Sequence, residues 1–312
     1  MAVLSIQSHV VFGYAGNTSA VFPLQRLGRE VWAINTVEFS NHTGYGAWRG
    51  KVLGAELAGE LVTGLEERGV LNRCEAVLSG YLGDAAVGRA IIDAVKKVRK
   101  ESPNALYCCD PVMGDVGRGF YVKPDIPGMF RNELVPLADI VCPNQFELEA
   151  LTGIDTAVID NAIKAINILH EMGPSIVLVT SFKETDEERS SSEMSSPELR
   201  SPELRSPKLS MLASDKKNLY KITTPELPLG YGVAGTGDMT AAVFLSRYLE
   251  TGNLEKTLEL CTASVFGILD ASYKAAPSSS AEKNLPLELK IIDAQQELTS
   301  PTRLFKAVKL SA

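Results

Sequence analysis

The sequence predicts an α/β fold in three layers, with a central, mostly parallel β-sheet covered by helices on both faces. Three observations lead there. Short aliphatic and β-branched runs alternate with helical patterns along most of the chain. Those runs are apolar throughout, as strands buried on both faces must be. The 312 residues are 45% hydrophobic and 22% charged, a globular composition able to bury a large core without staples.

The elements follow in order. "AVLSI" reads as the first strand, and a helix over 17–27 is stopped by Gly28. "EVWAINTV" is the second strand, and a helix runs from about Ala55 to Arg68. Then come "AVLSG", a helix over 84–100, "ALYCCD", "DIVCPN", a helix over 158–172 stopped by Gly173, and "SIVLVTS". Residues 183–217 break the pattern, with SPELR at 196–200 and 201–205 and a degenerate copy, SPKLS, at 206–210. A repeat rich in Ser, Pro, Glu and Arg cannot bury a core, so the segment is expected to be a disordered surface insert within one domain spanning 1–312. Deletion of 186–214 is accordingly expected to leave the fold intact. The apolar alternation of "NLYKITTPEL" predicts a strand that returns to the sheet.

The formal net charge of −7 and pI near 5.2 argue against sequence-independent binding to nucleic acid or to an acidic membrane surface. Five cysteines without C-x-x-C spacing, several inside strand-like runs, read as buried free thiols in a reducing compartment. With no leader-like start and no apolar run of membrane-spanning length, the expectation is a cytoplasmic protein.

Parallel sheets bind ligands at the carboxyl ends of their strands, and that rule collects Ser8, Asn41, His42, Thr43, Tyr81, Asp110, Asn144, Glu147, Thr180 and Ser181. "GVAGTGDMTAAVF", 232–244, runs glycines into a helix through Asp238. A helix start exposes unpaired N–H groups, so Gly235, Thr236 and Gly237 suit an anion, while Asp238 either caps the helix or works beside a phosphate. "CDPVMGD" sets Asp110 and Asp115 around Gly114; these acids either end a strand or hold Mg²⁺ beside a polyphosphate. Asn144 and Glu147 have capping-box spacing. His170, late in its helix, reads as a C-terminal cation or a surface residue. Gly230-x-Gly232-x-x-Gly235 matches a dinucleotide fingerprint but lacks the preceding strand, and neither a P-loop nor a zinc motif is found.

Taken in order, "SIQSHVVFGYAGNTSAVFPLQRLG", "NTVEFSNHTGYGAW", "LSGYLGD", "CDPVMGD", "DIVCPNQFELEALTG" and "GTGDMTAA" resemble the pyridoxal kinases of the ribokinase-like superfamily. The resemblance spans nearly the whole chain apart from 183–217 and the tail after about Pro277. It implies transfer of the γ-phosphoryl of ATP to the 5′-hydroxyl of pyridoxal, and of pyridoxine and pyridoxamine. It also implies Mg²⁺, a monovalent cation such as K⁺, and a homodimer.

By position, the resemblance gives Asp238 the role of base. Ser8, Thr43 and Gly44 would sit at the pyridine ring, with Tyr81 lining the pocket. Asp110 and Glu147 would lie near the phosphates and their cations, with Asn144, Thr180 and Ser181 facing the nucleotide. Asp115 and Tyr121 would belong to a segment closing over it, and Gly235, Thr236 and Gly237 would form the phosphate cradle. The competing readings are a hydroxymethylpyrimidine kinase and a non-catalytic vitamin-binding protein on the same scaffold.

Overall fold

The computed structural model describes residues 1–184, 207–229, 233–276 and 286–310. The strands are β1 (Ala2–Phe12), β2 (Glu30–Asn41), β3 (Gly50–Val52), β4 (Cys74–Ser79), β5 (Leu106–Cys109), β8 (Ile140–Val141), β9 (Ile176–Phe182), β10 (Lys208–Ser214), β11 (Leu219–Pro225) and β12 (Val308–Leu310), with a separate hairpin of β6 (Gly114–Asp115) and β7 (Gly119–Phe120). They form one ten-stranded sheet in the order β12-β11-β10-β9-β8-β5-β4-β1-β2-β3. The inner strands from β9 to β2 are parallel, and β3, β10, β11 and β12 run antiparallel at the edges. A mostly parallel sheet is thus what the structure has.

Successive strand residues feed opposite faces. Leu4 and Ile6 of β1 belong to a core roofed by α2 (Gly54–Glu67), α3 (Ala85–Glu101), the irregular helical segment Ile126–Leu137 designated α4, α5 (Gln145–Thr152) and α6 (Ile159–Met172). Val3 faces the other core, under α1 (Asn17–Arg26), α7 (Thr236–Thr251) and α8 (Leu254–Lys274). In α3 the apolar residues Val87, Ile91, Ala94, Val95 and Val98 recur at helical spacing and are buried. Asp84 caps its first turn, accepting from the Ala86 N–H at 2.9 Å. From Met239 to Arg247, α7 is buried all round, because it is covered by the sheet below and by α1 and α8 beside it.

Beyond α8 the chain becomes a strap. Leu289, Ile291 and Leu298 are buried in the α7/α8 core, Arg247 donates to the Leu298 carbonyl at 2.6 Å, and β12 then closes the far edge on β11.

Two expectations are corrected. The segment 183–217 is not all insert: Lys208–Ser214 is strand β10, paired with β9 on one side and β11 on the other. Buried Leu212 and Ala213, with Met211 packed against the core, hold it there, so removing 186–214 would take a strand out of the sheet. Residues 185–206, which carry both SPELR copies, lie outside the described residues, as do Gly230 and Gly232 of the fingerprint match. His170 is no surface cation. It is buried, with Nδ1–H donating to the Pro174 carbonyl at 2.9 Å and Nε2 accepting from the Ser214 hydroxyl at 2.8 Å, and burial lowers its pKa. Its partner arrives on β10, the strand assigned to the insert. All five cysteines are buried free thiols, as expected. Among the described residues no helix is long and apolar enough to cross a membrane.

Candidate active site

The carboxyl ends of β1, β4, β5, β8 and β9 open on one rim, where the loop into α7 meets the loop from β1 to α1. Ser8 lies within β1 rather than after it. The register with β2 slips there, from Gln7 opposite Asn35 to His9 opposite Glu38, an irregularity of the kind that re-aims side chains beside sites. Ser8 is 7% exposed. Gly16 lies against it in a conformation (φ 56°, ψ −129°) open essentially to glycine, and a Cβ there would overlap the Ser8 carbonyl and hydroxyl.

Asp238 stands on the other side of Gly16. The N-cap of α7 is Gly235, in the left-handed region at φ 80°. Asp238 is therefore the third residue of the helix, not its cap. Its carboxylate lies close to the Gly16 backbone, and burial raises its pKa. The loop is fixed by the Ser19 hydroxyl, which donates to the Gly235 carbonyl at 2.6 Å; a Cβ on Gly235 would come within 2.5 Å of the Tyr14 carbonyl. Gly235, Thr236 and Gly237 thus begin a well-anchored helix whose N-terminal amides suit an anion.

Asp110 follows β5 directly and is buried, and its Oδ2 has no hydrogen-bond partner. A Cβ on Gly237 would lie 3.9 Å from that oxygen, which puts Asp110 beside the cradle. Burial first, then the charges of Glu147 and Asp238, hold its pKa well above the usual carboxylate range. Glu147 and Asn144 form the expected capping box: Asn144 Oδ1 accepts from the Glu147 N–H at 2.9 Å and Glu147 Oε2 from the Asn144 N–H at 2.9 Å. Glu147 also accepts from the Met113 N–H at 3.0 Å, and burial pushes its carboxyl up to about 8 against these donors.

Asn144 is a junction as well as a cap. Its side chain donates to the Gly114 carbonyl at 2.9 Å, and its backbone bridges to Thr180, whose N–H donates to the Pro143 carbonyl at 2.9 Å. Ser181 beside it is exposed and left-handed at φ 55°, an unusual conformation for serine. The β6–β7 hairpin carries Asp115 and leads into Tyr121; it is tied to α5 by the edge-on contact of Phe120 with Phe146, centroids 4.9 Å apart. Burial raises the pKa of Asp115. Tyr121 itself is 45% exposed.

The structure therefore gathers Ser8, Asp238, the cradle, Asp110, Glu147, Asn144, Asp115, Tyr121 and Thr180 on one rim. Thr43 and Gly44 are exposed on a 3-10 turn after β2, and Tyr81 is partly buried after β4, its carbonyl accepting from the Thr36 hydroxyl at 2.8 Å. Sequence reasoning missed Gly16, whose role depends on two residues distant in sequence, and Glu288, on the strap excluded from the resemblance. Glu288 accepts from Tyr14 N–H, His42 and Tyr45. It also missed a polar chain of buried and partly buried groups behind Ser8, in which Gln7 donates to Ser5, Ser5 to Asn17, Asn17 to Asn35 and Asn35 to Glu38, which faces His9 Nδ1 at 2.6 Å.

A site that holds Mg²⁺ through phosphates and water needs one or two carboxylates at the cradle. Asp110 and Glu147 fit: the orphaned Asp110 oxygen lies in a crowd of negative charge that a cation would relieve. Among the described residues no group of three or more His, Cys, Asp or Glu side chains is arranged to ligate an ion by itself.

The family model described as phosphomethylpyrimidine kinase matches residues 70–275. "Pyridoxal kinase PdxY" of Granulibacter bethesdensis is 45% identical over 311 residues, covering 98% of this chain and 99% of the relative. The protein of the same name from Rubrobacter xylanophilus is 45% identical over 299 residues, covering 96% and 94%. Pyridoxal kinase from Leishmania donovani, solved in complex with ADP and pyridoxamine, superposes with a TM-score of 0.86 at 28% identity over 99% of each chain. The same kinase solved with ADP and pyridoxine gives a TM-score of 0.86.

Proposed function

Because the chain belongs to the pyridoxal kinase family, with its ribokinase-like α/β fold, we infer that it is an ATP-dependent phosphotransferase that phosphorylates the 5′-hydroxyl of pyridoxal. Pyridoxine and pyridoxamine are further substrates, in keeping with the ligands of the Leishmania kinase. The observation that carries the mechanism is the apposition of Ser8, Gly16 and Asp238 beside a helix N-terminus.

In this reading Ser8, Thr43 and Gly44 hold the pyridine ring, with Tyr81 as a wall. Asp238 takes the proton of the 5′-hydroxyl, whose oxygen attacks the γ-phosphorus as the bond to the ADP oxygen breaks. Burial makes the Asp238 carboxylate a stronger base than a free aspartate. Gly235, Thr236 and Gly237 take the negative charge of the transferring group on their amides. Asp110 and Glu147 would hold Mg²⁺, which when bound neutralises charge on the phosphates. Asn144, Thr180 and Ser181 line the nucleotide side, and Asp115 and Tyr121 on the β6–β7 hairpin cover it. A monovalent cation such as K⁺ and a homodimer complete the proposal, with the cytoplasm as its compartment, which the five free thiols support.

The matching family model gives hydroxymethylpyrimidine a place in the test. Turnover is measured with pyridoxal and with hydroxymethylpyrimidine, each with and without ATP. ATP-dependent phosphorylation of pyridoxal at a kcat/KM well above that of the pyrimidine is expected. A preference for the pyrimidine, or binding of pyridoxal without turnover, would overturn the reading.

A further inference from the structure

Glu288 has more partners than a surface acid needs. Its Oε1 accepts from the Tyr45 hydroxyl at 2.8 Å and from His42 Nε2 at 2.9 Å, and its Oε2 accepts from the Tyr14 N–H at 3.0 Å. A carboxylate only accepts, so His42 Nε2 carries a proton. Three pieces of chain therefore meet on one side chain: the β1–α1 loop through Tyr14, the turn after β2 through His42 and Tyr45, and the C-terminal strap. The neighbours are built to admit it. Gly13, at φ 84°, leaves room where a Cβ would lie 2.5 Å from Glu288 Oε1. Leu289 and Ile291, both buried, anchor the strap immediately after that contact, so the carboxylate is positioned by the core.

The turn is organised around the same point. The His42 ring lies tilted at 44° against that of Tyr45, centroids 4.7 Å apart, and a Cβ on Gly44 would lie 2.9 Å from His42 Nδ1. His42 is thus wedged between Glu288 and the Gly44 backbone. Hydrogen bonds from His42, Tyr45 and Tyr14 outweigh burial and keep Glu288 below the usual glutamate range, so it is ionised at neutral pH. The Tyr45 hydroxyl is pushed up to about 12 by burial and by this carboxylate, so it stays protonated and keeps donating.

We propose that Glu288 is a positioning residue for the vitamin side of the site: a latch on the C-terminal strap that fixes the turn bearing Thr43 and Gly44 against the loop bearing Gly16. It touches neither substrate, and it acts through His42, Tyr45 and Tyr14. The effect on KM for pyridoxal rests on the pyridoxal kinase reading; the effect on the turn does not. Tyr45 and Gly46 close the 3-10 turn through hydrogen bonds to the His42 and Thr43 carbonyls, so release of the latch should loosen those amides first.

The test compares wild type with Glu288→Ala and Glu288→Gln. Glu288→Ala is expected to raise KM for pyridoxal about tenfold, with kcat and KM for ATP within about twofold, because two hydrogen bonds that order the turn and one that holds the β1–α1 loop beside it are lost. Glu288→Gln keeps one acceptor oxygen and should fall between. Hydrogen exchange of residues 42–46 in the ligand-free protein should speed up in the same order. Unchanged exchange there, or equal losses on the pyridoxal and ATP sides, would overturn the latch. If Glu288→Ala fails to fold, the glutamine variant decides by the same two readouts. If wild type does not phosphorylate pyridoxal, the function fails and the exchange comparison alone judges the latch.

Discussion

Asp238→Asn separates chemistry from architecture at this site. The side chain keeps its size and one acceptor oxygen, so at most one hydrogen bond accepted by the carboxylate is lost. Losing one such bond costs on the order of 1 kcal/mol. Against that, the variant removes a negative charge that raises the proton affinity of buried Asp110, so repulsion within the cluster falls. The helix cap is Gly235 and is untouched. The thermal midpoint should therefore move by no more than a few degrees in either direction. Turnover should not survive so well. An amide cannot accept the hydroxyl proton, and loss of a general base lowers kcat on the order of 10²–10⁴-fold, about 3–5 kcal/mol of barrier. The pH profile adds a second signature. Since burial raises the Asp238 pKa, the wild-type rate should fall with falling pH along a limb placed above the ordinary aspartate value of 3.8, and the variant should lack that limb. Coupled detection of ADP release from pH 4.5 to 8, with nucleotide affinity and melting measured on the same samples, gives all three numbers. Turnover within about threefold of wild type, with the acid limb intact, would refute the assignment of Asp238 as base.

Replacing Ser8 or Thr43 with Ala should raise KM for pyridoxal up to roughly tenfold, with KM for ATP little changed, since one hydrogen bond is worth about 0.5–1.5 kcal/mol; steady-state kinetics in both substrates would expose a misplaced residue as an ATP-side defect. Gly16→Ala forces a side chain into a glycine-only conformation and against Ser8, a strain of at least about 1–3 kcal/mol, so melting should drop by several degrees and both kcat and KM for pyridoxal should worsen. Deleting 187–205 should leave melting and kcat/KM near wild type, because Phe182 and Ser210 already pair across β9 and β10, whereas a deletion that runs on through Ser214 should give insoluble or inactive protein. In metal-free protein the raised Glu147 pKa means that folding takes up a proton. Its contribution to stability is full below about 4.5 and is lost as pH rises through about 8. Melting of Glu147→Gln relative to wild type should thus improve between pH 6 and 9, on top of a constant offset for the lost cap bond, and a difference that does not vary with pH would contradict the raised pKa.

The sequence by itself determined the layered α/β architecture, since strands that are apolar on both faces have no stable alternative to a sheet sandwiched by helices. It also determined which short motifs are local machines: the Asn144–Glu147 box and the glycine-rich start of α7 are set by residues within a few positions of one another, so their spacing was enough to read them. Composition located the SPELR copies but misjudged where the insert stops, because Lys208–Ser214 is strand only through the partners on either side of it. His170 was misjudged for the same reason, its partner Ser214 being 44 positions away. What only the tertiary structure decided is how the rim is held. Gly16 wedges between Ser8 and Asp238, and Glu288 ties Tyr14 across 274 positions of sequence. Such contacts leave no periodicity and no motif, because a lone carboxylate or glycine takes its meaning from what the folded chain brings against it.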